Sequence, residues 1–313
     1  MPTMKEVAPG VWIIEGVFVN AFLLEGRAGE CILVDTGFSY WFSAIERGLA
    51  LLAKRGHKLA AVFLTHGHGD HSGSARLFAE RYGVPIYAHR LELPFLDGTM
   101  SYPPPDPTIG GPHAFLTRLV DERSKDLRPH LRALEYGEAW CASEGEIPEL
   151  PEWRWVHTPG HSPGHVALFR ERDRVLLAGD VLESVNFDRW GSLVRRKPGL
   201  WRGESPYICN WKQAEASVRL LAMLQPTLIL CGHGSPLGGR VVAQQLGAFA
   251  ASYPVPERGR YVGTGAHFDE GGAFQVPPAP FDRGLFFASA TLVAALAASR
   301  VYRTVRAKHL GTH

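Results

Sequence analysis

The sequence predicts an α+β protein whose strands end along one common edge, and three observations carry that expectation. Short apolar runs, rich in β-branched and aromatic residues and bounded by turn residues, recur from Val11 to Cys231. Stretches with helical spacing stand between them, at residues 39–55, 75–82, 211–224 and 239–251. Several of the apolar runs stop directly before His or Asp, so side chains able to do chemistry collect at one end of the strands.

Taken in order, Val11–Ile14, Val17–Leu24 and Cys31–Val34 read as strands, with Glu25-Gly26 and Ala28-Gly29 as turns. The third ends in Asp35-Thr36-Gly37. Asp35 is either a carboxylate that orients a ligand histidine or a plain turn or helix-capping aspartate. Trp41, Ile45, Leu49 and Leu52 form one stripe on a helix over 39–55.

The strand Leu59–Leu64 leads into Thr65-His-Gly-His-Gly-Asp-His-Ser-Gly73, which places four metal-ligand types, His66, His68, Asp70 and His71, within six residues. Imidazoles two apart on an extended chain project to the same side, and the intervening glycines let the backbone approach an ion. Asp70 and His71 fall where a helix begins, so one segment can serve two neighbouring ions. A helix over Ala75–Tyr82 and a strand over Val84–Ala88 follow, and His89 after them reads as a structural histidine.

Regular patterning stops over residues 91–151, where Ser101-Tyr-Pro-Pro-Pro-Asp-Pro excludes helix and central strand. This insertion is either a lid or pocket wall, or a linker to a small subdomain. Order returns with the strand Trp153–His157, then Thr158-Pro-Gly-His161-Ser-Pro-Gly-His165, the strands Val166–Phe169 and Arg174–Ala178, and Gly179-Asp180. His161 and Asp180 follow apolar strands as His66 does, whereas His165 leads back into a strand and reads as a support residue.

A second insertion, residues 182–210, is irregular and carries Arg189, Arg195, Arg196, Lys197 and Arg202. It reads as a solvated basic loop or as a cover that recognises an anionic substrate group. After a helix from Trp211, the strand Thr227–Cys231 ends in Gly232-His233-Gly234, the fourth strand end with a ligand type. A catalytic domain over 1–252 and a C-terminal extension over 253–313 are expected. From Gly284 to Ser299 no charge appears, then Arg300, Arg303, Arg306 and Lys308 follow. Sixteen uncharged residues fall short of the roughly 20 that span a bilayer. A terminal helix over 284–308, packed on the body or on a second copy in a homodimer, is expected in preference to a membrane anchor.

With 45% apolar and 20% charged residues the chain is soluble and globular in composition. Its net charge of +2, with no basic run, gives no support to a nucleic-acid partner. The four cysteines, Cys31, Cys141, Cys209 and Cys231, form no CxxC pair and read as reduced thiols. The N-terminus lacks a secretory apolar core. A cytoplasmic protein acting on a small molecule is expected.

The order HxHxDH, then His in TPGHSPGH, Asp in GD and His in GHG resembles the metallo-β-lactamase-fold superfamily over about residues 7–250. That resemblance implies a four-layer αββα sandwich. It implies a first metal held by His66, His68 and His161, a second by Asp70, His71 and His233, and Asp180 between them. Two divalent ions follow, zinc first by the nitrogen and oxygen donor set, with iron or manganese also compatible. A hydroxide bridging the ions would attack an ester, lactone or thioester, with Asp70 as the catalytic residue that orients it or takes its proton. The branches that read as alternatives are a glyoxalase-II-like thioesterase and a mononuclear iron persulfide-dioxygenase-like enzyme using His66, His161 and Asp180. Val181, Leu182, Glu183 and Ser184 follow the bridging aspartate where the homoserine-lactone lactonases place a tyrosine close by. Tyr40, Tyr102 and Tyr207 are candidate acids for the leaving group, and no spacing favours one of them.

Overall fold

Strand residues alternate between two apolar environments, and that alternation builds the layers. In the computed structural model, which describes residues 3–16, 18–117, 127–134, 144–147, 149–189, 191, 198–269 and 274–281, two sheets pack face to face. The first runs in chain order: β1 (Thr3–Ala8), β2 (Val11–Glu15), β3 (Asn20–Glu25), β4 (Glu30–Val34), β5 (Lys58–Phe63), β6 (Ile86–Ala88) and β7 (Leu131–Ala133). Its strands are antiparallel up to β4 and parallel from β4 to β7.

The second sheet contains β8 (Glu144–Glu146), β9 (Trp153–His157), β10 (Val166–Arg170) and β11 (Val175–Gly179). A separate ribbon of β12 (Leu182–Glu183) and β13 (Trp201–Arg202) intervenes in the chain before β14 (Leu228–Cys231) and β15 (Leu237–Gly238) complete the sheet. The order is β15-β14-β11-β10-β9-β8, with β11 and β14 parallel.

Val11, Ile13, Phe22, Ile32 and Phe63 of the first sheet meet Trp155, Val166, Leu168, Leu177 and Leu230 of the second in a layer between the sheets. The alternate residues Ile14, Leu23, Leu33 and Val62 face outward onto Ile45, Leu49 and Leu52 of the helix Phe42–Ala53 and Phe78 of the helix Ala75–Tyr82. On the other side Phe169, Leu176 and Ile229 meet Trp211, Val218 and Leu221 of the helix Trp211–Met223 and Leu246 of the helix Val242–Ala251. The result is the expected αββα sandwich. Strands covered on both faces must be apolar at every position, which is why they read as continuous runs.

Several strands escape the sequence pattern, β1, β7 and β8 among them. β1 carries Lys5 and Glu6 on a sheet edge, and β7 and β8 are three-residue edge strands, β8 being Glu-Gly-Glu. Edge strands face solvent, so no apolar run marks them. β7 and β8 lie within the first insertion, where the helices Leu93–Leu96 and Gly111–Leu116 also form. β3 starts at Asn20, three residues later than expected, because Asn20 pairs with Glu15 of β2 and the Gly16 N–H donates to the Val19 carbonyl in the turn between them.

Past residue 252, Tyr253, Tyr261 and Ala266 are buried in the outer layer of the second sheet. The Tyr261 hydroxyl donates to the Pro104 carbonyl at 2.7 Å, tying this segment to the proline-rich loop. Residues up to Pro277 form one compact unit. The expected terminal helix over 284–308 lies outside the described residues, as do Cys141, Arg195, Arg196 and Lys197. Cys31, Cys209 and Cys231 are buried free thiols. No helix of the described residues is long and apolar enough to cross a membrane.

Candidate metal centre

Four strand ends deliver the site. His66 and His68 follow β5, His161 follows β9, Asp180 follows β11 and His233 follows β14. Asp70 and His71 sit in a single helical turn, Gly69–Ser72. All seven residues expected as ligands come together.

Asp180 is central. Its Oδ2 lies 3.1 Å from His71 Nε2, 3.1 Å from His233 Nε2, 3.6 Å from His161 Nε2 and 3.7 Å from His66 Nε2. The donor atoms of His66, His68 and His161 lie within 4.8 Å of one another, as do those of Asp70, His71 and His233. Asp70 Oδ2 is 3.7 Å from His71 Nε2 and 3.5 Å from His233 Nε2. Two adjacent donor sets thus share one carboxylate.

The far sides of the His66, His71 and His233 rings are each fixed by a hydrogen bond, which aims the near nitrogen inward. His71 Nδ1 donates to Asp35 Oδ2 at 2.9 Å, and His233 Nδ1 donates to the Phe18 carbonyl. The Thr65 hydroxyl donates to Asp35 Oδ2 at 2.8 Å and accepts from His66 Nδ1 at 3.1 Å. Asp35 therefore orients two histidines, one directly and one through Thr65, while its Oδ1 accepts the Thr65 N–H at 2.8 Å. His165 is not among the donor sets. Its Nε2 accepts the Asp180 N–H at 2.9 Å and its Nδ1 donates to Thr158 Oγ1 at 2.8 Å, so it holds the backbone of the central carboxylate.

His66 Nε2, His71 Nε2 and Asp180 Oδ1 are buried and have no hydrogen-bond partner. Orphaned buried polar atoms are costly in a protein that leaves them so, and donor atoms of His66, His71 and Asp180 within 4.8 Å of one another fit a divalent metal ion. Burial holds His66 and His161 well below the usual imidazole range, which keeps them neutral and ready to ligate. Burial opposes charge on His71 and His233 too, but Asp180 outweighs it, aided by Asp70 at both rings, and pushes His233 up to about 10. Burial also opposes the Asp180 carboxylate, yet His71 and His233 hold its pKa well below the usual range.

The model of the metallo-β-lactamase superfamily matches residues 14–233. The chain belongs to that superfamily. A probable metallo-hydrolase, YflN of Bacillus subtilis (strain 168), is 33% identical over 238 residues, covering 75% of this chain and 88% of the relative. The hydroxyacylglutathione hydrolase GloC of Haemophilus influenzae is 28% identical over 220 residues, covering 69% of this chain and 85% of the relative. Among solved structures, the metallo-β-lactamase family protein TTHA1429 of Thermus thermophilus is 25% identical with a TM-score of 0.51, over 79% of this chain and 80% of that one. The chain is an enzyme of a metallo-hydrolase family, with a His/Asp cluster suited to divalent metals.

This metallo-β-lactamase-family site includes residues that sequence patterning missed. Glu92, fully buried, accepts the Gly67 N–H at 2.9 Å on Oε2, and Ser162 Oγ at 2.8 Å and the Gly164 N–H at 2.7 Å on Oε1. The Tyr102 hydroxyl donates to the same Oε2. One carboxylate thus clamps the loop of His66 and His68 to the loop of His161. Glu92→Ala leaves buried donors unpaired at about 1–3 kcal/mol each. Unfolding in denaturant is expected to show about 3 kcal/mol lost, and chelator competition roughly 10- to 100-fold weaker metal binding at the His66, His68 and His161 set. Stability and affinity both equal to wild type would show that the two loops hold themselves.

Asn20 performs a similar task across the sheets, its amide donating to the Cys231 carbonyl at 3.0 Å and the Gly234 carbonyl at 2.7 Å. Gly232 is required between them, since a Cβ there would meet Asp180 Oδ1 at 2.0 Å. Of the three tyrosines considered, Tyr102 and Tyr207 have ring centroids 4.6 and 5.3 Å from that of His68. Tyr40 is exposed and stacks on Phe38. The first insertion supplies a wall of the site through Glu92 and Tyr102. In the second, Arg202 is engaged by Asp188 at 2.8 Å and does not face the metal cluster as a free cation. That insertion instead brings up Glu204, whose carboxyl burial pushes up to about 8 against the pull of His233, with Asp70 and Asp180 adding to the rise.

Proposed function

We propose that the chain is a dinuclear metallohydrolase that cleaves an ester, lactone or thioester of a small molecule. His66, His68 and His161 hold the first ion, Asp70, His71 and His233 the second, and Asp180 lies between them. The observation that carries this reading is the single Asp180 oxygen within 3.7 Å of four imidazole nitrogens drawn from both sets. A nitrogen and oxygen donor set without thiolate suits zinc, with manganese and iron as substitutes.

Held by these residues, divalent ions would supply Lewis-acid chemistry, activating a water near neutral pH and polarising the substrate carbonyl. Asp70 is the most open of the acidic groups, its side chain 19% exposed against 1% for Asp180. It is placed to orient the attacking water and take its proton. The His68, Tyr102 and Tyr207 rings wall the approach and exclude bulk water from one side. The likeness to a hydroxyacylglutathione hydrolase supports the thioester within this substrate group.

The test is elemental analysis of protein purified without chelator, followed by a panel of lactones, thioesters, phosphodiesters and β-lactams on the loaded enzyme. Two equivalents of metal and turnover on a carbonyl ester or thioester are expected. One equivalent of iron, with no second ion taken up from added metal, would overturn the dinuclear reading in favour of a mononuclear iron oxygenase.

A further inference from the structure

The turn after β13 runs against the metal centre more closely than a side chain would allow. A Cβ on Gly203 would meet the Asp180 carbonyl oxygen at 2.0 Å, so the chain lies flat on the backbone of the central carboxylate. The next residue, Glu204, thereby reaches the second donor set. A carboxylate oxygen of Glu204, one of Asp180 and a ring nitrogen of His233 lie within 4.8 Å of one another.

The position of Glu204 is fixed from several sides. Ser205 Oγ donates to Asp188 Oδ2 at 2.8 Å, and Arg202 Nη2 donates to the same oxygen at 2.8 Å. The Tyr207 N–H donates to the Glu204 carbonyl at 2.9 Å, and the Asp106 N–H donates to the Pro206 carbonyl at 2.7 Å. The Glu204 side chain is 11% exposed, and His113 Nδ1 is 3.6 Å from its Oε1. A third carboxylate brought this close to Asp180 and Asp70 in a low-dielectric site repels both, and a cation among them converts that repulsion into attraction. His71 Nε2, buried and without a hydrogen-bond partner, lies 3.1 Å from Asp180 Oδ2.

We propose that Glu204 is a further ligand of the second metal ion, added to Asp70, His71, His233 and the shared Asp180. The proposal rests on the dinuclear reading above. It makes the two positions chemically unlike. The first is held by three imidazoles and the shared carboxylate, whereas the second has two imidazoles and three carboxylates, a more oxygen-rich set that shifts preference toward harder ions such as manganese. On its other side Glu204 lines a cavity of about 160 Å³ with Phe187, Trp201 and Arg202. A purely cavity-lining role is therefore the competing outcome.

The experiment is titration of metal-free, full-length protein with Zn²⁺ and with Mn²⁺ against a chromophoric chelator, for wild type, Glu204→Gln and Glu204→Asp. The first ion is expected to bind alike in all three. The second is expected to weaken roughly 100-fold in Glu204→Gln and to a smaller degree in Glu204→Asp, and to do so more for Mn²⁺ than for Zn²⁺. A second ion bound by Glu204→Gln within about threefold of wild type overturns the proposal, whatever happens to turnover. If Glu204→Gln does not fold by circular dichroism, Glu204→Asp decides: unchanged second-ion affinity overturns the proposal and a loss supports it. Wild type binding a single ion fails the dinuclear reading itself, a result seen without any variant.

Discussion

Asp180→Ala is expected to empty both halves of the centre and to lower turnover by about 10³-fold or more, because in the proposed dinuclear site one oxygen would serve both ions. Asp180 Oδ2 is the atom to which His66, His71, His161 and His233 all turn. Without metal the same substitution takes away the carboxylate that outweighs burial at His71 and His233, so both must stay charged without it or give up their protons. Removing one partner of a buried charged pair costs about 3–5 kcal/mol. Elemental analysis and denaturant unfolding should therefore both change. A variant that kept one full equivalent of metal and near-normal turnover would show that Asp180 belongs to one ion only.

Asp35→Asn is expected to weaken the second ion roughly 10- to 100-fold while leaving the backbone in place. Asp35 has φ +56°, a left-handed conformation that asparagine tolerates and β-branched residues do not. Asparagine keeps an oxygen for the Thr65 N–H, but its amide cannot accept from both His71 Nδ1 and the Thr65 hydroxyl. His71 then loses the bond that sets its ring and tautomer, and His66 loses its indirect support. Chelator competition should show the second ion affected more than the first. Equal weakening of both would mean that the change spread through the Thr65 loop as a whole.

The residues of the clustered donor sets were legible in sequence because their surroundings repeat. Each sits just beyond an apolar strand or within the glycine-punctuated loop at 65–73, and ligand chemistry admits few residue types there. The orienting role of Asp35 was open in sequence, since a strand-end aspartate also suits a turn. The geometry decided it, by bringing His71 Nδ1 to 2.9 Å. The support role of His165 likewise became definite only with the Asp180 N–H against its ring.

Glu92, Asn20 and Glu204 carried no such signal. Glu92 and Glu204 stand in irregular insertions, where a carboxylate has no periodic neighbours to mark it as buried, and Asn20 opens a strand as many exposed residues do. The partners of Glu92 and Asn20 are 25, 72, 211 and 214 residues away in the cases of Gly67, Gly164, Cys231 and Gly234. The sequence by itself determined which strands form, which of their ends hold imidazole and carboxylate, and so which class of ion the chain can hold. Tertiary structure alone decided which distant loops clamp that set and which further carboxylate reaches it. Local patterning encodes a residue's own strand or helix, whereas contact across hundreds of residues depends on how the finished layers bring their loops together.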